Sequence, residues 1–275
     1  MFTRLIAGAI CLVALTSAAP EPGDLPAVRT PAELRDILAD LGPDAIAALG
    51  AADPADALNK LGVKQLADNP DKAMSFRYFE AACALSSDKG CNNYANVFNA
   101  KDFSRHDAAK ALRIYEHLCA KNLAAACINA AVNLRDARKA DEAFPFISKS
   151  CALDYADGCR RKGVFITYAT GTPFSLKGAR SAFARACALG DKQGCDNDAF
   201  LNTRASELAL LEGTDGYSMR GYWANEPNNF VGDGLSALDK KNFARAEAIF
   251  AMSCQRDAPL VVSNLASLRL RGPHN

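Results

Sequence analysis

Cysteine is the residue type whose spacing in this chain most directly implies chemistry. The 275 residues include ten cysteines, and eight of them fall into four pairs: Cys83 with Cys91, Cys119 with Cys127, Cys151 with Cys159, and Cys187 with Cys195. The members of each pair lie 8 positions apart, and the first members recur at intervals of 36, 32 and 36. Thiols so arranged either ligate a metal or oxidise to disulfides. Zinc favours close Cys-x2–4-Cys pairs set near a second pair or near histidines. Here the pairs stand a full repeat apart, and the histidines are only His106, His117 and His274. That argues against a metal. In one straight helix, residues eight apart are separated by about 12 Å along the axis, about twice what a disulfide spans. A turn therefore lies inside each pair, and Ser86-Ser87-Asp88-Lys89-Gly90, Asp157-Gly158 and Asp191-Lys192-Gln193-Gly194 are turn-forming runs. One cysteine ends a helix, the other begins the next, and the bond staples the hairpin. Closing so small a loop contributes roughly 2–3 kcal/mol.

Other reactive side chains give less. Ser86-x-x-Lys89 matches the Ser-x-x-Lys element of serine β-lactamases, but it falls in a turn, with no Lys-Thr-Gly or Ser-Asp-Asn companion. The three histidines do not recur and do not neighbour a recurring acid or serine, so a Ser-His-Asp set has no support. His117, on a helix just before Leu118-Cys119, reads as a surface or interface residue. The expectation from these residues is a protein without catalysis, cofactor or metal. Two sets of residues remain as binding candidates. Asn93, Asn129 and Asn197 each stand two positions after a second cysteine, with Arg161 as the exception, and Asn264 extends the series. They either line a groove and bond a peptide backbone or bond one another between helices. The sole tryptophan, Trp223, lies with Tyr217, Tyr222 and Phe230 among Gly and Asn. These aromatics either form a recognition segment or plug a gap in the fold.

Helices must position these residues. Four positions before each first cysteine are Phe79, Tyr115, Ile147 and Phe183, and eight before are Ser75, Ala111, Ala143 and Ala179. Positions i, i+4 and i+8 share a helix face, so small residue, large apolar residue and Cys form one buried stripe. Four positions after each second cysteine come Ala95, Ala131, Gly163 and Ala199, small enough to admit a neighbouring helix. The template recurs at Ala246, Phe250 and Cys254, followed by Asn264 and Ala266, with Val262 in the partner position. Cys254 is thus expected as a free thiol packed behind Phe250. Tyr222 and Phe230 replace a cysteine pair in a degenerate unit ending at Gly234, preceded by a helix that Gly213, Gly216 and Gly221 break. Ala57 to Gly62 resembles the second helix of an earlier unit, and Thr30-Pro31-Ala32-Glu33 is a capping box opening a short helix. A period of this length predicts a solenoid of helix pairs. The expected fold is an all-α, right-handed α/α superhelix, disulfide-stapled and without a sheet. Residues 31–56 are capping helices, 57–272 the solenoid (degenerate at about 213–242) and 273–275 a tail.

The run Phe79-Glu80-Ala81-Ala82-Cys83-Ala84-Leu85 with Gly90-Cys91-Asn92-Asn93-Tyr94-Ala95, and the run from Ala179 to Gly190, resemble Sel-one-like repeats. The resemblance is to the cysteine-rich secreted bacterial type, which is similar to tetratricopeptide repeats, and it covers about Ala57 to Gly272. It implies an α/α superhelix that binds a protein or peptide. Some cysteine-rich members are linked to β-lactam binding or hydrolysis, and some periplasmic members to envelope regulation or toxin neutralisation. Fold-level likeness constrains function only weakly.

Arg4, the apolar run Leu5 to Leu15 and the small residues Thr16 to Ala19 read as a secretory signal peptide, residues 1–19, that removes Cys11. Residues 20–30, with Pro and Gly, read as a mobile leader. Export places the remaining cysteines in the periplasm or outside the cell, where disulfides persist. A net charge of +1 supplies no field for nucleic acid, and the mature chain holds no apolar run long enough to span a bilayer.

Overall fold

The computed structural model describes residues 24–68, 72–224 and 231–254, and the side chains of Tyr217, Gly221, Val231, Ser253 and Cys254 are outside that description. The signal sequence, Cys11, Phe230, Asn264, Ala266 and His274 therefore lie outside the described residues, as does the environment of the Cys254 thiol. Short helices open the chain: α1 (Pro31–Ile37), a 3-10 turn (Ala39–Leu41), α2 (Pro43–Leu49) and α3 (Pro54–Asp68). Four hairpins follow: α4 (Lys72–Ala84) with α5 (Asp88–Asn99), α6 (Ala108–Ala120) with α7 (Ala124–Asp136), α8 (Ala140–Ala152) with α9 (Ala156–Thr167), and α10 (Leu176–Ala188) with α11 (Lys192–Thr203). Beyond them come α12 (Ala205–Leu208), a 3-10 turn (Ala209–Leu211), α13 (Gly216–Ala224), α14 (Val231–Asp239) and α15 (Phe243–Cys254). Consecutive helices from α1 to α11 pack on one another, as do α14 and α15, and no strand occurs among the described residues. Thr30 and Glu33 form the expected capping box at α1.

Each hairpin closes in the same way. Cys83, Cys119, Cys151 and Cys187 stand one residue before the last of their helices, and each bonds to the cysteine 8 positions on, with Cα atoms 4.2–4.7 Å apart. The third residue after each first cysteine has positive φ: Ser86 (64°), Asn122 (68°), Asp154 (56°) and Gly190 (92°). The N–H of that residue donates to the cysteine carbonyl, and the following N–H donates to the residue before the cysteine, as in Ser87 to Ala82 (3.2 Å) and Asp191 to Ala186 (2.9 Å). This is the Schellman closure that satisfies the last carbonyls of a helix. Ser87 and Asp191 also cap the next helix, accepting from the N–H of Gly90 (3.0 Å) and Gly194 (2.8 Å). One residue therefore ends one helix and starts the next. The residue before the second cysteine must then be tiny. A Cβ on Gly90 or Gly194 would meet the Ala82 or Ala186 methyl at 2.7 Å, and Ala126 fills this place in the second hairpin.

The predicted stripes are buried. Ser75, Ala111, Ala143 and Ala179 are inaccessible, with Phe79, Tyr115, Ile147 and Phe183 beside them. The small positions work across repeats: a Cβ on Gly62 would lie 2.6 Å from the Phe79 ring, and one on Gly163 would lie 2.5 Å from Phe183. Gly234 abuts the Phe250 ring in the same fashion, so the register returns in α14 and α15. Between them it fails. Ala199, expected to receive a helix, is exposed, because α12 stops after 4 residues and Gly213 turns the chain with φ 81°. Gly213 N–H donates to Phe174 O (2.8 Å), and Phe174 N–H donates to Thr214 O (2.9 Å), tying this segment to the loop before α10.

The leader departs from expectation over its described part. Pro and Gly content predicts mobility, but Asp24 is buried in a two-point ion pair with Arg113 of α6. Leu25 packs on the core of the first hairpins. Composition does not reveal a buried charge whose partner lies 89 positions away.

The hairpin closure makes a checkable demand. A Cβ at Gly158 would meet Ser150 Cβ at 2.8 Å and its carbonyl carbon at 3.0 Å. Gly158→Ala should therefore destabilise the chain by about 1–3 kcal/mol in denaturant melts. Gly232→Ala, in α14 with open space around it, should be neutral or stabilising by up to about 1 kcal/mol. Equal effects at the two positions would refute the close-approach account.

Candidate binding surface

The odd-numbered helices α3, α5, α7, α9 and α11 pack directly on one another from repeat to repeat, in addition to their hairpin partners. They form the layer in which successive helices lie closest, which is the inner side of a curved solenoid. The asparagines stand on this layer. Asn93 of α5 donates to Asn59 of α3 (2.8 Å). Asn129 of α7 donates to both Asn92 and Asn96 of α5 (3.0 Å each). Asn133 donates to Asn99 (2.9 Å) and to Ala108 O (3.0 Å), and the Tyr115 hydroxyl donates to Asn96 (2.7 Å). Of the two readings of Asn93 and Asn129, bonding between neighbouring helices is the one this geometry contains. A carboxamide offers both donor and acceptor, so each rung can accept from one neighbour and donate to another.

The ladder stops at α9. Arg161, which stands in the asparagine position, pairs with Asp157 of its own helix (2.7 Å). Its neighbour Arg160 reaches Asp191 at the start of α11 (3.1 Å) and also bonds Asp157. Asn197 of α11 has no hydrogen-bonding partner among the described residues and is half-buried. It lines a pocket of about 290 Å³ with Val164, Thr167, Tyr168, Phe183, Phe200, Leu201 and Trp223. Among the described residues, α12 ends after 4 residues and leaves Ala199 exposed beside the pocket.

Four aromatic rings line this pocket: Tyr168, Phe183, Phe200 and Trp223. Trp223 lies 6.0 Å from Tyr168 and 5.9 Å from Phe200, centroid to centroid, and 4.7 Å edge-on to the buried Tyr222. Tyr168 is 43% exposed and Phe200 50% exposed, large values for aromatics beside a core. The Trp223 indole N–H donates to Thr167 O (3.1 Å), satisfying a carbonyl at the end of α9. Trp223 thus fills part of the space beyond α9 and also walls the pocket. Tyr222 donates to Glu207 (2.9 Å) and accepts from Arg204 (3.1 Å), whose guanidinium faces the Phe200 ring at 5.7 Å. Burial, with Glu207 alongside, pushes the Tyr222 hydroxyl above its ordinary pKa. It remains a neutral donor at physiological pH.

Tyr168 and Phe200 were not singled out by sequence, yet a signal existed. Continuing the Asn197 face by one turn reaches Phe200 and Leu201, and continuing Arg161 reaches Val164 and Tyr168. The other reactive candidates are scattered. Ser86 occupies the left-handed turn position that Asn122, Asp154 and Gly190 share, and Lys89 lies in the first turn of α5. His106 lies in the loop after α5 and His117 near the end of α6. No group of three His, Cys, Asp or Glu side chains that could hold a metal occurs among the described residues, and no helix there is long and apolar enough to cross a membrane.

Fold and surface together define a disulfide-stapled solenoid of α-hairpins with an open aromatic pocket near the end of its inner layer. No family model and no curated protein matches the sequence. Among solved structures, the chain is similar to a protective antigen of uropathogenic Escherichia coli strains that displays an SLR fold, at 17% identity and a TM-score of 0.48. That match covers 88% of this chain and 57% of the antigen. The chain is also similar to a Sel1 repeat protein from Oxalobacter formigenes, at 14% identity and a TM-score of 0.46, over 79% of this chain and 88% of that one.

The asparagines divide sharply in what they should do when truncated. Asn129→Ala removes two bonds and leaves the Asn92 oxygen without its donor, so a loss of about 1–3 kcal/mol is expected. Asn197→Ala removes none and should leave the melting temperature unchanged. Similar losses at both positions would overturn the distinction between ladder and pocket.

Proposed function

We propose that this protein is an exported repeat scaffold that holds a segment of a protein or peptide partner along its inner layer, seating one apolar side chain in the Trp223 pocket. The observation that carries this reading is the pocket itself. Exposed Tyr168 and Phe200, the rim of Trp223 and the Asn197 carboxamide, which has no side-chain partner among the described residues, converge on one concavity. Such sites take an apolar anchor and fix its orientation with a few polar groups, and aromatic side chains dominate the energetics of recognition. About 290 Å³ suits one large side chain with adjoining backbone rather than a whole cofactor. Export is supported by Met1 to Ala19 as a signal sequence and by four disulfides, which persist in oxidising compartments.

The single tryptophan makes the test direct, since all indole fluorescence reports from the pocket. Peptides selected from a random library on the folded chain should shift Trp223 emission on titration. Phe200→Ala should weaken their binding by about 2 kcal/mol, roughly 30-fold, with little change in melting temperature because Phe200 is half exposed. Trp223→Ala is the poorer probe, because it also removes the bond to Thr167 O. Peptides that bind with unchanged emission and equal affinity for Phe200→Ala would place recognition elsewhere.

A further inference from the structure

The four disulfides share one spacing and one turn, but they do not share one environment. Cys83, Cys91, Cys119, Cys127, Cys151 and Cys159 are all buried, between 0% and 6% exposed. Cys187 and Cys195 are only half-buried, and Ala188, Leu189, Gly190, Lys192 and Gln193 between them are exposed. Position in the stack accounts for the difference. Cys151 and Cys159 form a buried apolar cluster with Ala186, the residue before the first cysteine of the following hairpin. Leu118, which stands in the same place before Cys119, lies in the core that holds Cys83 and Cys91. The Ser150 hydroxyl, again in that place, donates to Ala124 O at the start of α7 (3.0 Å). The residue in this place thus reaches back over the closure before it. The fourth hairpin is followed by α12, which ends after 4 residues, and its disulfide keeps a face to solvent.

The exposed bond also stands beside the pocket. Phe183 lies four positions before Cys187 on α10, and Asn197, Phe200 and Leu201 lie two, five and six positions after Cys195 on α11. These four residues line one side of the pocket, while α9 supplies Val164, Thr167 and Tyr168 and α13 supplies Trp223. The disulfide joins α10 to α11 at the turn, and the Arg180–Asp198 ion pair (2.8 Å) joins them farther along. Beyond α10, α11 packs mainly on α9 and the short α12. The covalent bond is therefore a main restraint on how α11, and the pocket wall it carries, lies against α10.

We propose that Cys187–Cys195 is a reducible site, open to a dithiol while the other three bonds are shielded, and that its redox state sets the position of the α11 wall of the pocket. The chemistry is thiol–disulfide exchange. A thiolate of the dithiol attacks the sulfur of Cys187 or Cys195, a mixed disulfide forms, and the other cysteine leaves as a thiolate. The second thiol of the reductant then attacks the mixed disulfide. The dithiol ends as its own disulfide, and the two electrons and two protons it loses appear in the thiols of Cys187 and Cys195. Exposed disulfides are the labile kind, whereas a buried one resists because no thiolate can approach its sulfurs. Reduction leaves the backbone closure of the turn in place, Gly190 N–H to Cys187 O and Asp191 N–H to Ala186 O (2.9 Å each). The hairpin survives, with α11 freer to move.

The test needs the folded chain with its free thiols blocked, dithiothreitol, and iodoacetamide to trap new thiols. Samples quenched during reduction under native conditions are digested and read by mass spectrometry, so that each cysteine pair reports separately. Cys187 and Cys195 should be trapped about 10-fold or more faster than the other paired cysteines, with far-ultraviolet circular dichroism unchanged over that interval. Reduced thioredoxin in place of dithiothreitol separates the sources. Selective reduction by it assigns the site to a protein dithiol, and selective reduction by dithiothreitol alone assigns it to a small one. In the selectively reduced chain, and in Cys187→Ser/Cys195→Ser, Trp223 emission should shift and acrylamide should quench it more strongly. If the double variant does not fold, the selectively reduced wild type supplies the same readout. Reduction of all four bonds at one rate, or of any other bond first, would end the proposal. So would selective reduction that leaves Trp223 emission and quenching unchanged. Neither measurement uses a peptide, so its outcome is separate from that of the peptide-binding reading.

Discussion

The approach of two helix ends inside each cysteine pair is the constraint on which the rest of the molecule depends. Two residues after α4, α6, α8 and α10 separate the helix from the residue that caps its successor. Within that span the chain must reverse, satisfy the final carbonyls and bring two Cα atoms to 4.2–4.7 Å. A left-handed residue accomplishes the reversal, and Gly or Ala before the second cysteine permits the closeness. The disulfide then removes unfolded conformations, an effect of roughly 2–3 kcal/mol for so short a loop, while the direction of the second helix follows from the turn. Asn and Asp visit the left-handed region more readily than most residues, which accounts for Asn122 and Asp154 in two of the four turns.

Because every hairpin turns alike, the second helices stack into one continuous layer, and equivalent positions on them become neighbours. That is why asparagines a repeat apart in sequence meet within 3.0 Å in space. It also explains where a ligand can enter. The layer is self-satisfied as far as α7, ionic at α9, and open at α11, where the next regular helix is replaced by α12 and a turn at Gly213. A solenoid hides its apolar surface by stacking repeat on repeat. Interrupting the stack exposes Tyr168 and Phe200, and Trp223 covers them only in part.

The pocket and the Cys187–Cys195 bond rest on different physics. The pocket is an apolar concavity whose polar demand is small, and the groups around it, Arg204 with Tyr222 and Glu207, are paired among themselves. The bond works instead through access, since a thiolate must approach a sulfur before exchange begins. A chain with a net charge of +1 has no long-range field to gather ligands, so recognition at the pocket rests on local complementarity.

The cysteine spacing, the stripes through Phe79, Tyr115, Ile147 and Phe183, and the small residues Gly163 and Gly234 were sufficient to determine the all-α hairpin repeat and its staples; of the glycines expected to break a helix, Gly213 turns the chain, whereas Gly216 and Gly221 lie within α13. These features are local or periodic, and a helix face is a property of sequence separation alone. The asparagine ladder, the pocket and the docked leader were decided only by the tertiary structure. Whether Asn129 meets Asn96 or a ligand depends on which helices become neighbours. Whether Ala199 is covered depends on a helix that ends early, and whether Asp24 is mobile depends on Arg113 far along the chain. No periodicity encodes such encounters. They arise from the fixed turn at each staple, which carries distant residues to a common surface.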